Sequence, residues 1–336
     1  MGKMRFHIVH SVKGGCGKTA FSLFKSMELA EKNANENRAR VLLLDADFKG
    51  SGLKTLIYAR DKAAYEAFYK IQEQNGDTLE KIEESRLQNR LGSKKNANSF
   101  RFRREYRQET LNDYVWKENM AITAIVTEGA VIAPESDIKN IGFNGYLDFV
   151  FCSPESAERD FFRYIDGRLP DLSIGKFRLE VCRLLKDLRC YGADNGAAGE
   201  EKETGQYTDI VIDMPPGYDE YSSIMLELLR KFVRISNEKD EIHYYVVTTA
   251  DRSHLDAAGE AVKSALEDSG KEDRYTQVYA VFSEVHEDEF KDEALKTLGG
   301  ISNQDKGRIK SITCKYQKEY YDFCRDDKRE PFVYEI

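Results

Sequence analysis

The spacing of hydrophobic positions changes twice within the first fifty residues. Arg5 to Val12 is a short, mostly apolar run and predicts a strand. Ala20, Leu23, Phe24, Met27 and Ala30 then recur three and four apart, which lines one face of a helix. Val41-Leu42-Leu43-Leu44 is continuously apolar, as in a strand covered on both faces. The alternation continues down the chain. Tyr146 to Cys152, Asp209 to Ile212, His243 to Thr249 and Gln277 to Phe282 read as strands. Phe177, Val181, Leu184, Leu185 and Leu188 form a helical stripe, Ser222 to Ile235 a second helix, and Arg252 to Asp268 a third that ends at Gly270. Strands alternating with helices predict an α/β fold with a mostly parallel sheet flanked by helices.

Two segments break the pattern. Residues 59–109 are polar and charged, and predict a helical or irregular insertion without a buried strand. Within it, 86–107 carries Arg86, Arg90, Lys94, Lys95, Arg101, Arg103, Arg104 and Arg107 against Glu105 alone. Residues 192–206 are Gly-rich and acidic, and predict a mobile loop. There is no internal repeat, so residues 1–336 read as one domain with an insertion at 59–109.

Composition narrows the class. Hydrophobic residues are 41% of the chain, enough for a large core and too many for a wholly disordered protein. No stretch approaches the length of a membrane-spanning helix, and the N-terminus enters a strand without a signal-peptide pattern; both point to a cytoplasmic protein. The cysteines at 16, 152, 182, 190, 314 and 324 contain no CxxC pair, which argues against a disulfide scaffold or zinc ribbon. The five His show no metal-ligand spacing. The formal charge of −8 argues against coating by nucleic acid over the whole surface, but not at one patch.

Val12-Lys13-Gly14-Gly15-Cys16-Gly17-Lys18-Thr19 carries the strongest chemical signal, because it lies between a strand and an amphipathic helix. A triphosphate needs backbone N–H groups wrapped around it. Glycine permits the close approach and the dihedrals this requires. The helix N-terminus adds partial positive charge. Lys18 can reach the β- and γ-phosphates, and the Thr19 hydroxyl can ligate Mg²⁺. Gly14, Gly15, Cys16, Gly17, Lys18, Thr19 and Ala20 are thus the candidate nucleotide-binding stretch, with Cys16 at a variable position.

Two strand ends supply carboxylates. Asp45 and Asp47 follow Val41–Leu44, and Asp213 follows Asp209–Ile212, where ligand sites of open α/β sheets lie. The second of these segments resembles a Walker B strand running into switch II, which implies that Asp213 would hold Mg²⁺ through water. Pro215 and Pro216 predict that the ladder stops and the chain bends, and the same resemblance implies that Gly217 would offer its N–H to a γ-phosphate.

The strict pattern GxxxxGK[ST] fails at Val12, whereas KGGxGK[ST] fits in full. On this loop, Leu44-Asp45-Ala46-Asp47 and the 209–217 strand, the chain resembles the deviant Walker A ATPases of the ParA/MinD type. The resemblance covers residues 3–58 and 110–336, including Leu147 to Glu155 followed by Arg159 to Phe162. It implies a homodimer with ATP sandwiched between subunits, Lys13 reaching the partner's nucleotide, Asp47 orienting the attacking water, and Asp45 supporting Mg²⁺ or its water shell. It also implies that Asp251 lies where the family contacts base or ribose. Many members end the strand near 277–284 with an adenine-reading Asn. Here that stretch is Val281-Phe282-Ser283-Glu284, so ATP and GTP both stay open.

The fold does not fix the output. Metal-cluster carriers need paired cysteines, tail-anchored-protein targeting needs a Met-rich groove, and MinD-type membrane binding needs a terminal amphipathic helix. None of these is evident. The resemblance implies a ParA-like switch with slow, partner-stimulated hydrolysis, which partitions or positions DNA or another cargo. Candidate DNA contacts are 86–107, where Phe100, Phe102 and Tyr106 interleave the basic residues, and 306–318, with Lys306, Arg308, Lys310, Lys315 and Lys318. Two alternatives are a nucleotide-gated module that binds a protein partner with negligible turnover, and a tyrosine-kinase-like relative suggested by Tyr316, Tyr320, Tyr321 and Tyr334.

Overall fold

The computed structural model describes residues 3–34, 40–48, 53, 99–102, 109–117, 119–132, 143–152, 170–191, 206–217, 220–236, 240–269, 276–285, 298 and 301–315. The strands are β1 (Arg5–Ser11), β2 (Arg40–Asp45), β3 (Ser99–Phe102), β4 (Val126–Thr127), β5 (Gly129–Ile132), β6 (Phe143–Val150), β7 (Tyr207–Pro216), β8 (Glu241–Thr249), β9 (Thr276–Val285) and β10 (Ile309–Lys315). The helices are α1 (Lys18–Ala34), α2 (Leu111–Trp116), α3 (Pro170–Cys190), α4 (Glu220–Ile235), α5 (Arg252–Ser269) and the single turn α6 (Asn303–Lys306).

One ten-stranded sheet has the order β10-β9-β8-β1-β7-β2-β6-β5-β3, with β4 beside β6. From β10 through β6 every pairing is parallel; β3, β4 and β5 pair antiparallel. The expected mostly parallel α/β sheet is therefore present. β7 lies between β1 and β2, and its register sets Asp213 opposite Asp45 on one side and opposite Val9 on the other. Both acidic strand ends thereby finish level, beside the point where β1 opens into the Gly-rich loop.

Two apolar layers flank the sheet. One contains Phe6, Ile8, Leu42, Ile210, Tyr244 and Phe282 under side chains of α2, α3, α4 and α5. The other contains Val9, Leu43, Val211, Tyr245 and Val281, with Phe21, Leu23, Met27 and Ala30 of α1. Each fully buried Leu, Ile or Phe contributes roughly 1.5–3 kcal/mol, so this facing of apolar stripes fixes where α1 begins. Gly145 permits close approach of β6 to α1. Its φ is +131°, and a Cβ there would fall 2.0 Å from the Ala30 carbonyl oxygen.

The structure differs from the sequence reading at several points. A four-residue edge strand, Ser99–Phe102, lies inside the segment read as helical or irregular; Phe100 and Phe102 flank Arg101 at strand spacing. The rest of 59–108 lies outside the described residues, as do 192–205, 159–162 and the tyrosines at 316, 320, 321 and 334. β4, β5 and β10 were not read as strands. Their runs are short, and in β10 Lys310 and Ser311 interrupt the apolar positions. β7 also continues through Pro215 and Pro216 rather than stopping. The prolines fall beyond Asp213, the last residue of β7 that pairs with β2, so little ladder is lost. The β1–β7 register shifts there, and Ser11 faces Pro216.

Candidate functional site

The loop from Val12 to Gly17 connects β1 to α1 at the carboxyl end of the central strands. Gly15 and Gly17 have φ of +80° and +74°, and open space lies where a Cβ of Gly14 or Gly15 would sit. Non-glycine residues rarely adopt such φ values, and successive amides in these conformations form an anion-binding concavity. The amides of Gly14, Gly15 and Gly17 have no hydrogen-bond acceptor among the described residues. The Gly17 carbonyl accepts from Phe21 N at 2.9 Å, which starts the first turn of α1. The loop thus fits a phosphate group by its backbone alone.

Lys18 is the first residue of α1 and is buried. Its Nζ lies 2.8 Å from Asp213 Oδ1. Ser22, one helical turn later, donates to the same carboxylate oxygen at 2.9 Å. Spacing i, i+4 brings Lys18 and Ser22 to one face of α1. Ser22 escaped the sequence reading, although this spacing was its available signal.

Asp45 is buried opposite Asp213. Asp45 Oδ1 accepts from the Asp47 amide at 3.0 Å, whereas buried Oδ2 has no hydrogen-bond partner among the described residues. Burial, and then the negative charge of Asp213, push the Asp45 carboxyl well above the usual carboxylate range. A buried, unsatisfied carboxylate oxygen is costly unless a cation or ordered water meets it. That orphaned oxygen, the Asp213 carboxylate and the half-buried Thr19 hydroxyl fit Mg²⁺, which keeps several waters and takes few protein ligands. No group of three His, Cys, Asp or Glu side chains able to hold a metal occurs among the described residues.

Cys152 at the end of β6 donates to the Asp45 carbonyl at 3.1 Å. Burial, and then Asp45, raise its thiol pKa well above the ordinary value, so it serves here as a neutral donor that fixes the Asp45 backbone. Asp47 is half-buried just beyond β2. Asp45, Asp47 and Asp213 are therefore brought together with Lys18.

Lys13 is exposed, and its Nζ donates to Ser253 Oγ at 2.8 Å. Ser253 in turn donates to Asp251 Oδ1 at 2.5 Å, and the same oxygen accepts the Ser253 amide at 2.8 Å. These Ser253 bonds hold the Asp251 carboxyl below its ordinary pKa. Asp251 thus caps α5. Cys16 Sγ lies 3.4 Å from His254 Nδ1, which also lies 2.8 Å from Thr249 Oγ1.

The Gly217 amide donates to the Ser11 carbonyl at 2.8 Å, and its carbonyl lies 2.7 Å from His10 Nε2. The N–H expected to face a γ-phosphate is engaged with β1 in this conformation. Ser283 of β9 is buried, with Oγ 2.7 Å from the Cys16 carbonyl. Of the second basic set, Arg308 pairs with Asp305 at 3.5 Å and Lys310 lies 5.6 Å over the Tyr279 ring.

No family model matches the chain, and no curated protein matches it. Among solved structures it is similar to a plasmid partition protein from Borrelia burgdorferi, at 14% identity over 97% of this chain and 96% of that one, with a TM-score of 0.44. It is similar to a putative plasmid partition protein from the same organism bound to AMPPNP, at 13% identity over 98% and 96%, TM-score 0.48. A Cyanothece McdA–ATP complex is similar at 14% identity over 97% and 89%, TM-score 0.49. At such distances the fold assignment rests on this chain's own strand order and register.

Proposed function

We propose that this protein is an ATP-dependent switch of the ParA/MinD type, which dimerises over ATP and Mg²⁺, hydrolyses ATP slowly, and positions DNA or another macromolecular cargo. The observation that carries the reading is the convergence of Lys18, Asp213, Asp45 and Asp47 beside a loop whose glycine amides have no acceptor among the described residues.

Lys18 would exchange Asp213 for the β- and γ-phosphates when nucleotide enters. Ser22 would keep the released carboxylate oriented. Thr19, Asp213 and Asp45 would hold Mg²⁺, which when bound neutralises phosphate charge. Asp47 would orient the water that attacks the γ-phosphorus; the terminal P–O bond breaks and ADP and phosphate leave. Lys13 would leave Ser253 and meet the partner's phosphates, adding positive charge where negative charge develops. Phosphoryl transfer is catalysed largely by such positioning and electrostatic stabilisation.

Calorimetric titration of ATP–Mg²⁺ and GTP–Mg²⁺ against wild type and Lys18→Ala tests the site and the base preference together. Binding to wild type and none to Lys18→Ala supports the reading; equal affinity in both proteins contradicts it. Released phosphate, absent in Asp47→Ala, separates an ATPase from a nucleotide-gated module with negligible turnover.

A further inference from the structure

We propose that Ser283 is a positioning residue of the phosphate-binding loop, acting through the Cys16–Gly17 peptide. The inference rests on the nucleotide site proposed above and assigns that site a support on a different strand.

Ser283 lies near the carboxyl end of β9, two strands away from β1. Its hydroxyl is buried, 2.7 Å from the Cys16 carbonyl oxygen and 3.1 Å from that of Thr248 in β8. A hydroxyl has one hydrogen to donate, and the shorter contact is to Cys16. The Cys16–Gly17 peptide is planar, so its C=O and N–H point in opposite directions. Holding the carbonyl towards Ser283 therefore turns the Gly17 N–H away from the sheet side of the loop. That amide has no acceptor among the described residues.

The fit is close. A Cβ on Gly17 would lie 3.9 Å from both Cβ and Oγ of Ser283. Gly17 holds a φ of +74° immediately before Lys18. The conformation is one of several open to a glycine, and the Ser283 hydrogen bond selects it.

The test measures affinities for ATP–Mg²⁺, ADP and inorganic tripolyphosphate, with thermal denaturation, in wild type, Ser283→Ala and Ser283→Cys. Alanine leaves a buried carbonyl without its donor. Cysteine refills the volume but donates weakly. Both variants are expected to lose about tenfold affinity for all three ligands, the scale of a buried unsatisfied group. Equal losses for ATP and tripolyphosphate locate the effect at the phosphates rather than the base. Ser283→Ala affinities within about twofold of wild type, or full recovery in Ser283→Cys, would overturn the proposal. A lowered melting temperature with unchanged affinity would likewise reduce Ser283 to a packing residue. If wild type binds none of the three ligands, the nucleotide reading fails and takes this inference with it. If Lys18→Ala binds normally while Ser283→Ala does not, only the role given to Lys18 falls.

Discussion

Lys13 Nζ is hydrogen-bonded to Ser253 Oγ of the same chain at 2.8 Å, so the lysine assigned to a partner's nucleotide is docked on its own α5. In the proposed dimer that contact would have to break. Both groups are exposed, and such a bond is modest. Ser253→Ala is expected to lower the protein concentration needed for ATP-dependent dimerisation by about two- to fivefold, with monomer affinity for ATP unchanged. Light scattering across a dilution series measures it; an unmoved or raised threshold would show that Ser253 does not compete for Lys13.

The Lys18–Asp213 pair predicts a stability effect separate from nucleotide binding. Removing one partner of a buried ion pair costs about 3–5 kcal/mol, because the other charge stays behind. Here Ser22 still donates to Asp213, so Lys18→Ala is expected near about 3 kcal/mol by chemical denaturation. Adding Asp213→Ala should return part of the stability and none of the nucleotide affinity. A double variant less stable than Lys18→Ala would contradict the pairing.

Asp47→Ala should separate binding from turnover. The contact within this turn is made by the Asp47 backbone amide to Asp45, and it survives the substitution. ATP affinity should stay within about threefold while phosphate release falls by at least about a hundredfold, as expected when a group that orients a nucleophile is lost. Unchanged turnover would remove Asp47 from the reaction.

Gly145→Ala probes how α1 is seated. A Cβ would lie 2.0 Å from the Ala30 carbonyl, at a φ of +131°. Neither backbone can move without disturbing the sheet or α1, so the variant should lose more than about 3 kcal/mol, at the severe end for a single substitution. A melting temperature within a few degrees of wild type would refute the close contact.

Burial explains what the sequence revealed and what it hid. Val41–Leu44 and Ile210–Ile212 were legible because a strand covered on both faces must be apolar throughout. The glycine loop was legible because a turn with positive φ at Gly15 and Gly17 restricts its residue types. Ser22 and Ser283 were not: a serine leaves no periodic signal, and its value lies in contacts 191 and 267 residues away in sequence. The edge strands β3 and β10 mix basic and apolar residues, and the pattern there weakens accordingly. The docking of Lys13 on Ser253 of the same chain also left no trace in spacing.

A histidine cluster away from the glycine loop predicts a pH response. His7 lies 2.8 Å from Asp209, which also pairs with Arg5 at 2.6 Å, and stacks on His243 with ring centroids 4.8 Å apart. Tyr245 and Tyr279 lie beside these rings, and Glu241 is 3.5 Å from His243. Burial lowers the pKa of His7 below 6.5 and, with the charge of His7 next, that of His243 to about 4. Neutral His7 still donates Nε2–H to Asp209. Burial alone would raise the Asp209 carboxyl, but the bonds from His7 and Arg5 outweigh it and hold the group well below its ordinary value. The unfolded chain therefore takes up protons that the folded chain refuses. The histidine contribution is complete above pH 6.5 and is lost as pH falls towards 4. That of Asp209 is lost only below 3.8. Scanning calorimetry should show a melting temperature falling between pH 6.5 and 4, with a shallower fall in His243→Gln; a flat profile would contradict the assignment.

A nucleotide switch built on Lys13 and the glycine loop stands or falls on oligomeric state. Size-exclusion chromatography with light scattering, on wild type and Lys13→Ala with and without ATP–Mg²⁺, measures it. Wild type is expected to pass from monomer to dimer with ATP–Mg²⁺, and Lys13→Ala to stay a monomer. One mass in all four samples would rule the switch out.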